Sequence, residues 1–302
     1  MNGRILWIFL LTLLLSACGK EPESRNVPAS AELPGNGSAI SASGSESKSG
    51  NTQTLQEKGE KFAFPMEIPL QFMPVERSEL IARAPQPGLE QVKSIPFGSF
   101  NGSPVKLDIY KEPGQLQPNG DTIWRGLIDI AGKSYLLPDE LSRSHLEPQS
   151  EENRSFHLLN RNFPAKDGPY YLLGSLELKA EGPGRGLYIL FDRTENKWTS
   201  FEEWGAPHIT DLDGDGKDEM VVQFPGLHLY PPNVTIYAYG GSRLEKGTVA
   251  VESVSAGNRV YAGAAQDTGA IRIGVIGETE PATADYRYEN KKLIRLLAGD
   301  KK

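Results

Sequence analysis

Apolar and polar residues alternate along most of the chain after residue 62, in short runs separated by Gly, Asn, Asp or charged residues. Alternation with a period of two is typical of half-buried β-strands, and the intervening residue types favour tight turns. Two such runs flank one short turn in each of residues 127–137, 187–201, 234–246 and 286–297. The pattern therefore predicts an all-β fold built from antiparallel hairpins.

The spacing of these hairpins predicts a repeated unit. Their turns lie near residues 132, 194, 241 and 290, a spacing close to the blade length of β-propellers. A second series of short Gly-containing turns precedes them, at residues 101–102, 167–168, 215–216 and 267–269. We expect a propeller-like array of about four degenerate four-stranded units, with a β-sandwich or an irregular antiparallel meander as alternatives.

Two segments before the first hairpin carry weaker patterns. Residues 78–84, SELIARA, predict a short helix. Residues 62–92 as a whole predict either a further partial unit or a closing strand, and the sequence leaves both open.

The beginning of the chain has the composition of a secretion signal. Residues 1–17 carry one positive charge, at Arg4, followed by a short apolar run that is typical of a signal peptide. The sequence LSAC at 15–18 resembles the lipobox of bacterial lipoproteins, in which the chain is cut before the cysteine and the cysteine carries a lipid. The resemblance implies a membrane anchor at Cys18, the single cysteine of the chain, and a location on the extracytoplasmic face of a bacterial membrane.

Residues 18–61 predict a disordered, flexible tether. Ser, Gly, Pro, Asn and Glu dominate this segment, and it contains no aromatic residue. Such a composition buries too little apolar surface to offset the entropy of ordering. As a flexible coil it would reach on the order of 35 Å. The predicted organisation is a signal peptide at 1–17, a lipid-anchored linker at 18–61 and an all-β domain at 62–302.

The charge of the chain excludes one class of partner. The net charge is -7 and the isoelectric point is about 5.3, and the Lys and Arg residues form no basic stripe. Binding to nucleic acid requires a basic surface that releases counterions from the phosphates. We therefore expect no nucleic-acid partner.

The most distinctive motif is ITDLDGDGKDEMVVQF at residues 209–224. Carboxylates recur at Asp211, Asp213 and Asp215, and the two glycines between and after them permit a sharp turn. Calcium binds six to eight oxygen ligands, which closely spaced carboxylates supply. A helix-loop-helix calcium site requires a glutamate at the twelfth loop position, where Val222 stands in a strand-forming run. The motif therefore predicts a calcium loop within a β-sheet.

This loop resembles the FG-GAP or VCBS family of integrin-type calcium-binding repeats, with the pattern D-x-D-x-D-G-x-x-(D or E) before a strand. In that family the loop joins two strands of a propeller blade and binds calcium. The resemblance implies a calcium loop at 211–219 whose ligands are Asp211, Asp213, Asp215, the main-chain carbonyl of Lys217, and Glu219. The corresponding turns of the other units lack the carboxylates, so at most one full site is expected.

No catalytic constellation is evident, although the sequence does not settle whether the protein is an enzyme. Glu202 and Glu203 are adjacent in a predicted strand and would point to opposite faces, and the four histidines show no ligand spacing. The leading hypothesis is a non-enzymatic binding or scaffold module with an unknown protein or carbohydrate ligand. The alternative is a secreted enzyme, or an accessory subunit of one, that acts on extracellular or cell-wall polysaccharide.

Overall fold

The computed structural model describes residues 63–116, 120–150, 154–180, 184–227, 230–249, 259–265, 269–276, 282–297 and 299. The predicted signal peptide at 1–17, the lipid anchor at Cys18 and the predicted tether at 18–61 lie outside the described residues. The regular secondary structure of the described residues comprises one 3-10 helix, Arg143–Leu146, and a series of strands. The strands are β1 (Glu67–Pro69), β2 (Met73–Pro74), β3 (Ser78–Glu79), β4 (Glu90–Phe100), β5 (Ser103–Leu116), β6 (Thr122–Ile130), β7 (Lys133–Glu140), β8 (Phe156–Phe163), β9 (Tyr170–Glu177), β10 (Arg185–Asp192), β11 (Lys197–Trp204), β12 (Ala206–Thr210), β13 (Glu219–Phe224), β14 (Asn233–Gly240), β15 (Arg243–Thr248), β16 (Arg259–Ala265), β17 (Ala270–Ile276), β18 (Ala282–Glu289) and β19 (Lys292–Arg295).

These strands form four antiparallel sheets, none of which closes on itself. Sheet I contains β4 to β7, sheet II β8 to β11, sheet III β12 to β15 and sheet IV β16 to β19, each in chain order. The predicted all-β class is confirmed. The predicted turns near 132, 194, 241 and 290 join the third and fourth strands of each sheet. The predicted turns at 101–102, 167–168 and 215–216 fall between the first and second strands of sheets I, II and III, and residues 267 and 268 of the fourth turn lie outside the described residues.

One N-terminal segment, residues 64–83, pairs with the fourth strand of every sheet, and we call it the strap. Strand β1 pairs with β19 of sheet IV, β2 with β15 of sheet III, and β3 with β11 of sheet II. Ala82 then forms a bridge to Tyr135 of β7 in sheet I. Residues 62–92 are thus neither a partial unit nor a single closing strand.

The helix predicted at residues 78–84 is wrong, and the strap shows why. Ser78 and Glu79 form β3, and the backbone N–H of Leu80 donates to the Trp198 carbonyl at 2.9 Å. The outer edge of a sheet presents unpaired backbone groups, and pairing with them outweighs a weak helix propensity.

Three hydrophobic clusters fill the spaces between consecutive sheets. Sheets I and II meet at a cluster that includes Phe97, Leu107 and Leu187, and sheets III and IV at one that includes Ile236 and Ile273. Sheets II and III are joined by a stack of three rings, Tyr188 on Phe201 and Phe201 on Tyr237, with both centroid distances 5.1 Å. Among the described residues no such cluster joins sheet I to sheet IV.

A single residue, Gly205, separates the end of β11 in sheet II from the start of β12 in sheet III. This residue has φ of 125°, and a Cβ there would lie 2.2 Å from the Gln223 carbonyl oxygen. Only glycine accommodates both the positive φ and the close backbone approach. The direct passage into β12 places the acidic loop at the far end of that strand, beside sheet II.

Candidate cation site

The acidic loop, residues 211–218, joins the first and second strands of sheet III. It leaves β12 after Thr210 and enters β13 at Glu219. Gly214 and Gly216 have φ of 77° and 84°, and no atom lies within 4 Å of a Cβ added at either position. These glycines are therefore required by the backbone conformation and not by lack of space. The predicted position of the loop between two strands of one sheet is confirmed.

Three of the predicted ligands come together in this loop. One carboxylate oxygen from each of Asp211, Asp213 and Asp215 lies within 4.8 Å of the others. Asp211 accepts from the N–H groups of Gly214 and Gly216 at 2.8 and 3.0 Å, and so bends the loop around its carboxylate. Among the described residues this is the only group of three or more acidic, His or Cys side chains close enough to share a metal ion.

Glu219 is the buried carboxylate that directly follows the acidic loop, at the start of β13. Its side chain is 5% exposed, and its Oε2 accepts from the Leu212 N–H at 2.9 Å. Burial, together with the charges of Asp213, Asp215 and Asp211, raises the pKa of Glu219 to about 8, although the bond from Leu212 acts in the opposite direction. A divalent cation among these groups would favour the charged carboxylate and reverse the shift.

Lys217 is the residue whose main-chain carbonyl is a predicted ligand, and its side chain forms an ion pair with Asp215. Its Nζ lies 3.2 Å from Asp215 Oδ2, and its backbone N–H donates to Asp215 Oδ1 at 2.7 Å. Both side chains are about half exposed, so the ion pair is weak and a cation can displace the ammonium group. The carbonyl of Lys217 as a ligand stays a prediction.

Asp218 does not join the other carboxylates, because it is held by sheet II. Its carboxylate pairs with Arg161 of β8, and its backbone N–H donates to the Pro164 carbonyl at 2.7 Å. Asp218, the last residue of the acidic loop, thus attaches the loop to the neighbouring sheet II. Sequence reasoning missed this link, since residues 57 positions apart give no local signal.

The residues present fit a hard divalent cation. Calcium lies 2.3 to 2.6 Å from its oxygen ligands, so ligands on opposite sides of the ion are about 5 Å apart. The three aspartate oxygens fall within that span. Every candidate ligand atom is an oxygen, which suits calcium or magnesium and disfavours softer metals.

The other residues considered for chemistry do not form a site. Glu202 pairs with Arg185, whereas Glu203 accepts from Tyr237 Oη at 2.6 Å and from Lys246 Nζ at 2.9 Å. The two glutamates therefore have separate partners, in agreement with their predicted opposite faces. His208 is exposed on β12, as expected for a surface residue.

A buried histidine that the sequence did not single out lies between sheets I and II. His145 is fully buried, its Nε2 lies 2.8 Å from the Glu177 carbonyl oxygen, and its Nδ1 lies 2.8 Å from Ser155 Oγ. Burial lowers the pKa of His145 to about 4, despite the bond to Glu177. Ser155 is itself only 2% exposed, and the bonds of His145 to Ser155 and Glu177 hold the 3-10 helix against sheet II.

Comparison of the chain with protein-family models, with curated proteins and with solved structures gave no match. Among the described residues, no helix has the length and apolar character needed to cross a bilayer.

Proposed function

We propose that this protein is a bacterial cell-surface lipoprotein whose folded part is a calcium-stabilised, propeller-like binding or scaffold module without enzymatic activity. The observation that carries the proposal is the convergence of Asp211, Asp213 and Asp215 above the buried Glu219, between two strands of one sheet. Three of the five ligands that the resemblance to integrin-type repeats implies thus lie close together.

The sheet order supports the propeller-like arrangement. Each sheet contains four consecutive strands, to which the strap adds a short fifth strand in sheets II, III and IV, and each of the three clusters joins one sheet to the next. A propeller is built from such units, arranged radially. The loop of sheet III is also attached to the neighbouring sheet by the pairing of Asp218 with Arg161.

The bound ion has a structural role in this proposal. Extracellular calcium modules bind with dissociation constants of about 0.1 to 1 mM. At a hundredfold excess over the dissociation constant, binding to the folded state alone adds about 2.7 kcal/mol to the free energy of unfolding. Calcium would therefore stabilise the sheets and leave recognition of the ligand to other surfaces.

Calorimetric titration with calcium tests the cation site. We expect binding to the wild-type chain and none to the Asp213→Ala/Asp215→Ala variant. Asp167→Ala is the matched control, because Asp167 is an exposed aspartate in the corresponding loop of sheet II. Equal heats for the wild type and the double variant would rule out the proposed site.

Metabolic labelling with an alkyne fatty acid tests the anchor. The wild-type protein should carry the label and remain in the membrane fraction, and Cys18→Ala should lose both properties because the chain has no other cysteine. Retention of Cys18→Ala in the membrane fraction without label would contradict anchoring through this residue.

A further inference from the structure

The strap covers the outer edge of all four sheets with a short stretch of strand pairing at each. It pairs through three residues on sheet IV, two on sheet III, two on sheet II and a single bridge on sheet I. Further backbone bonds link the strap to all four sheets, from Leu70 to Lys291, from Val75 to Leu244, from Leu80 to Trp198 and from Arg83 to Ser134. On sheet IV, Arg295 also donates to the carbonyls of Phe64 and Met66. The strap is therefore a chain of short, separate attachments.

The side chains of the strap divide into anchors and exposed residues. Phe64, Ile68, Leu70 and Leu80 are buried, whereas three apolar residues are more than half exposed. The exposed residues are Met66 at 54%, Met73 at 61% and Ile81 at 67%. Much of the apolar surface of the strap is thus not used for holding it in place.

One ion pair makes the strap specific. Arg77 Nη1 donates to Asp192 Oδ2 at 2.9 Å, and the guanidinium lies 5.1 Å from the centre of the Tyr170 ring. The Asp192 side chain is 4% exposed, and its other oxygen accepts from the N–H groups of Thr194 and Glu195. A segment that replaced the strap would need a guanidinium at this position and apolar side chains at the anchor positions.

The connection from the strap to sheet I permits movement. Residues 84–88, APQPG, are all exposed, form no strand and contain two prolines. Exchange of an identical element between two copies of a chain needs such a connector, and an uncovered sheet edge is a template for another strand. The required guanidinium and anchors are those that a second copy of this chain supplies.

We propose that the strap is exchangeable, and that it can leave the outer edges of its own sheets and occupy those of a second copy of the chain. Arg77 of one copy then pairs with Asp192 of the other. The surface involved is the row of fourth strands, β7, β11, β15 and β19, and the partner is the same segment in trans.

Disulfide trapping tests this proposal in the full-length chain carrying Cys18→Ser, which has no other cysteine. Glu79 and Thr199 face each other in the pairing of β3 with β11. Because Leu80 bonds to Trp198, the pair beside it is a non-hydrogen-bonded pair, whose Cα atoms are about 4.5 Å apart and close enough for a disulfide. The Glu79→Cys/Thr199→Cys variant is the positive control, which oxidised glutathione should crosslink within one chain.

Single variants Glu79→Cys and Thr199→Cys are then mixed at high concentration, incubated and oxidised. Exchange predicts a disulfide-linked heterodimer well above that from Met73→Cys mixed with Thr199→Cys, which places the thiols out of register. Absence of the heterodimer, or equal yield from the out-of-register pair, would overturn the proposal.

Discussion

Two neighbouring loops, each between the first and second strands of its sheet, hold their shape in different ways. In sheet II, residues 164–169 are closed by neutral and cationic donors: the Gly168 N–H donates to the Ala165 carbonyl at 2.9 Å, and Arg193 Nη1 donates to the Gly168 carbonyl at 2.8 Å. In sheet III, residues 211–218 are closed by backbone N–H groups that donate to aspartates. The first loop is complete without an ion, whereas the second gathers negative charge that a cation would neutralise.

The difference shows how one sheet gathers three carboxylates in a loop whose counterpart in the neighbouring sheet, residues 164–169, has no such group. Both loops join antiparallel strands of one sheet, although the pairing of β8 with β9 has an irregularity between Leu158 and Arg161 that the pairing of β12 with β13 lacks. The loop of sheet II is packed against backbone, and the loop of sheet III is open. Substitutions should therefore act on packing in the first loop and on charge and backbone conformation in the second.

The largest effect is expected from Gly168→Ala in sheet II. A Cβ at this position would lie 2.1 Å from the Phe163 carbonyl oxygen and 2.7 Å from the Pro164 nitrogen, and backbone atoms cannot move aside as a flexible side chain does. We expect a loss of about 3 kcal/mol in the free energy of unfolding, measured by urea denaturation. A change below about 0.5 kcal/mol, the usual range of a surface substitution, would contradict the tight packing of this loop.

The next effect concerns pH and the buried carboxyl of sheet III. Because the pKa of Glu219 in the folded chain is about 8, above its ordinary 4.5, the folded state binds more protons than the unfolded state between these values. Without divalent cations, the free energy of unfolding should fall as the pH rises through this range, by roughly 2 kcal/mol or more, since one pKa unit corresponds to about 1.4 kcal/mol.

Two further measurements, on the Glu219→Gln variant and with added calcium, test whether this pH dependence comes from Glu219. Glu219→Gln should flatten the decline, because the amide does not ionise. Saturating calcium should also reduce it, because the ion favours the carboxylate, and binding should release close to one proton at pH 7. An identical decline in Glu219→Gln would assign the pH dependence to other groups.

A smaller effect is expected from Gly216→Ala in sheet III. No atom lies within 4 Å of the added Cβ, so the cost comes only from the positive φ of 84°. We expect a loss of about 1 kcal/mol by urea denaturation, clearly less than for Gly168→Ala. An equal or larger loss than that of Gly168→Ala would contradict the distinction between a packed and an open loop.

The smallest effect is expected from breaking the link between the two sheets with Arg161→Gln. The Arg161 side chain is 44% exposed, and solvent weakens its pairing with Asp218. We expect a loss of about 0.5 kcal/mol that diminishes at high salt. The matched variant Arg272→Gln removes an exposed ion pair with Asp285 within sheet IV and should leave calcium binding unchanged. Arg161→Gln should shift the calcium affinity. An unchanged affinity would show that the ion pair of Arg161 with Asp218 does not influence the cation site.

Much of the fold and part of the site could be predicted from neighbouring residues. The hairpins follow from alternation of apolar and polar residues, as in β10 and β11, whose turn at Asn196 has a positive φ of 51°. The three aspartates converge because they stand at alternate positions of one short loop with two glycines. The raised pKa of Glu219 could not be predicted, since it depends on burial by the surrounding sheets.

The sequence by itself determined which residues form hairpins, where the turns lie and where the acidic loop stands, because these features depend on residues two to five positions apart. Only the tertiary structure decided the course of the strap, the link from Asp218 to sheet II and the burial of His145. The strap has no periodicity of its own, and its strands exist because distant edges supply their partners, as where Tyr286 Oη donates to the Pro65 carbonyl across 221 positions. Such partners meet only after the sheets have formed, so no local pattern in residues 64–83 encodes them.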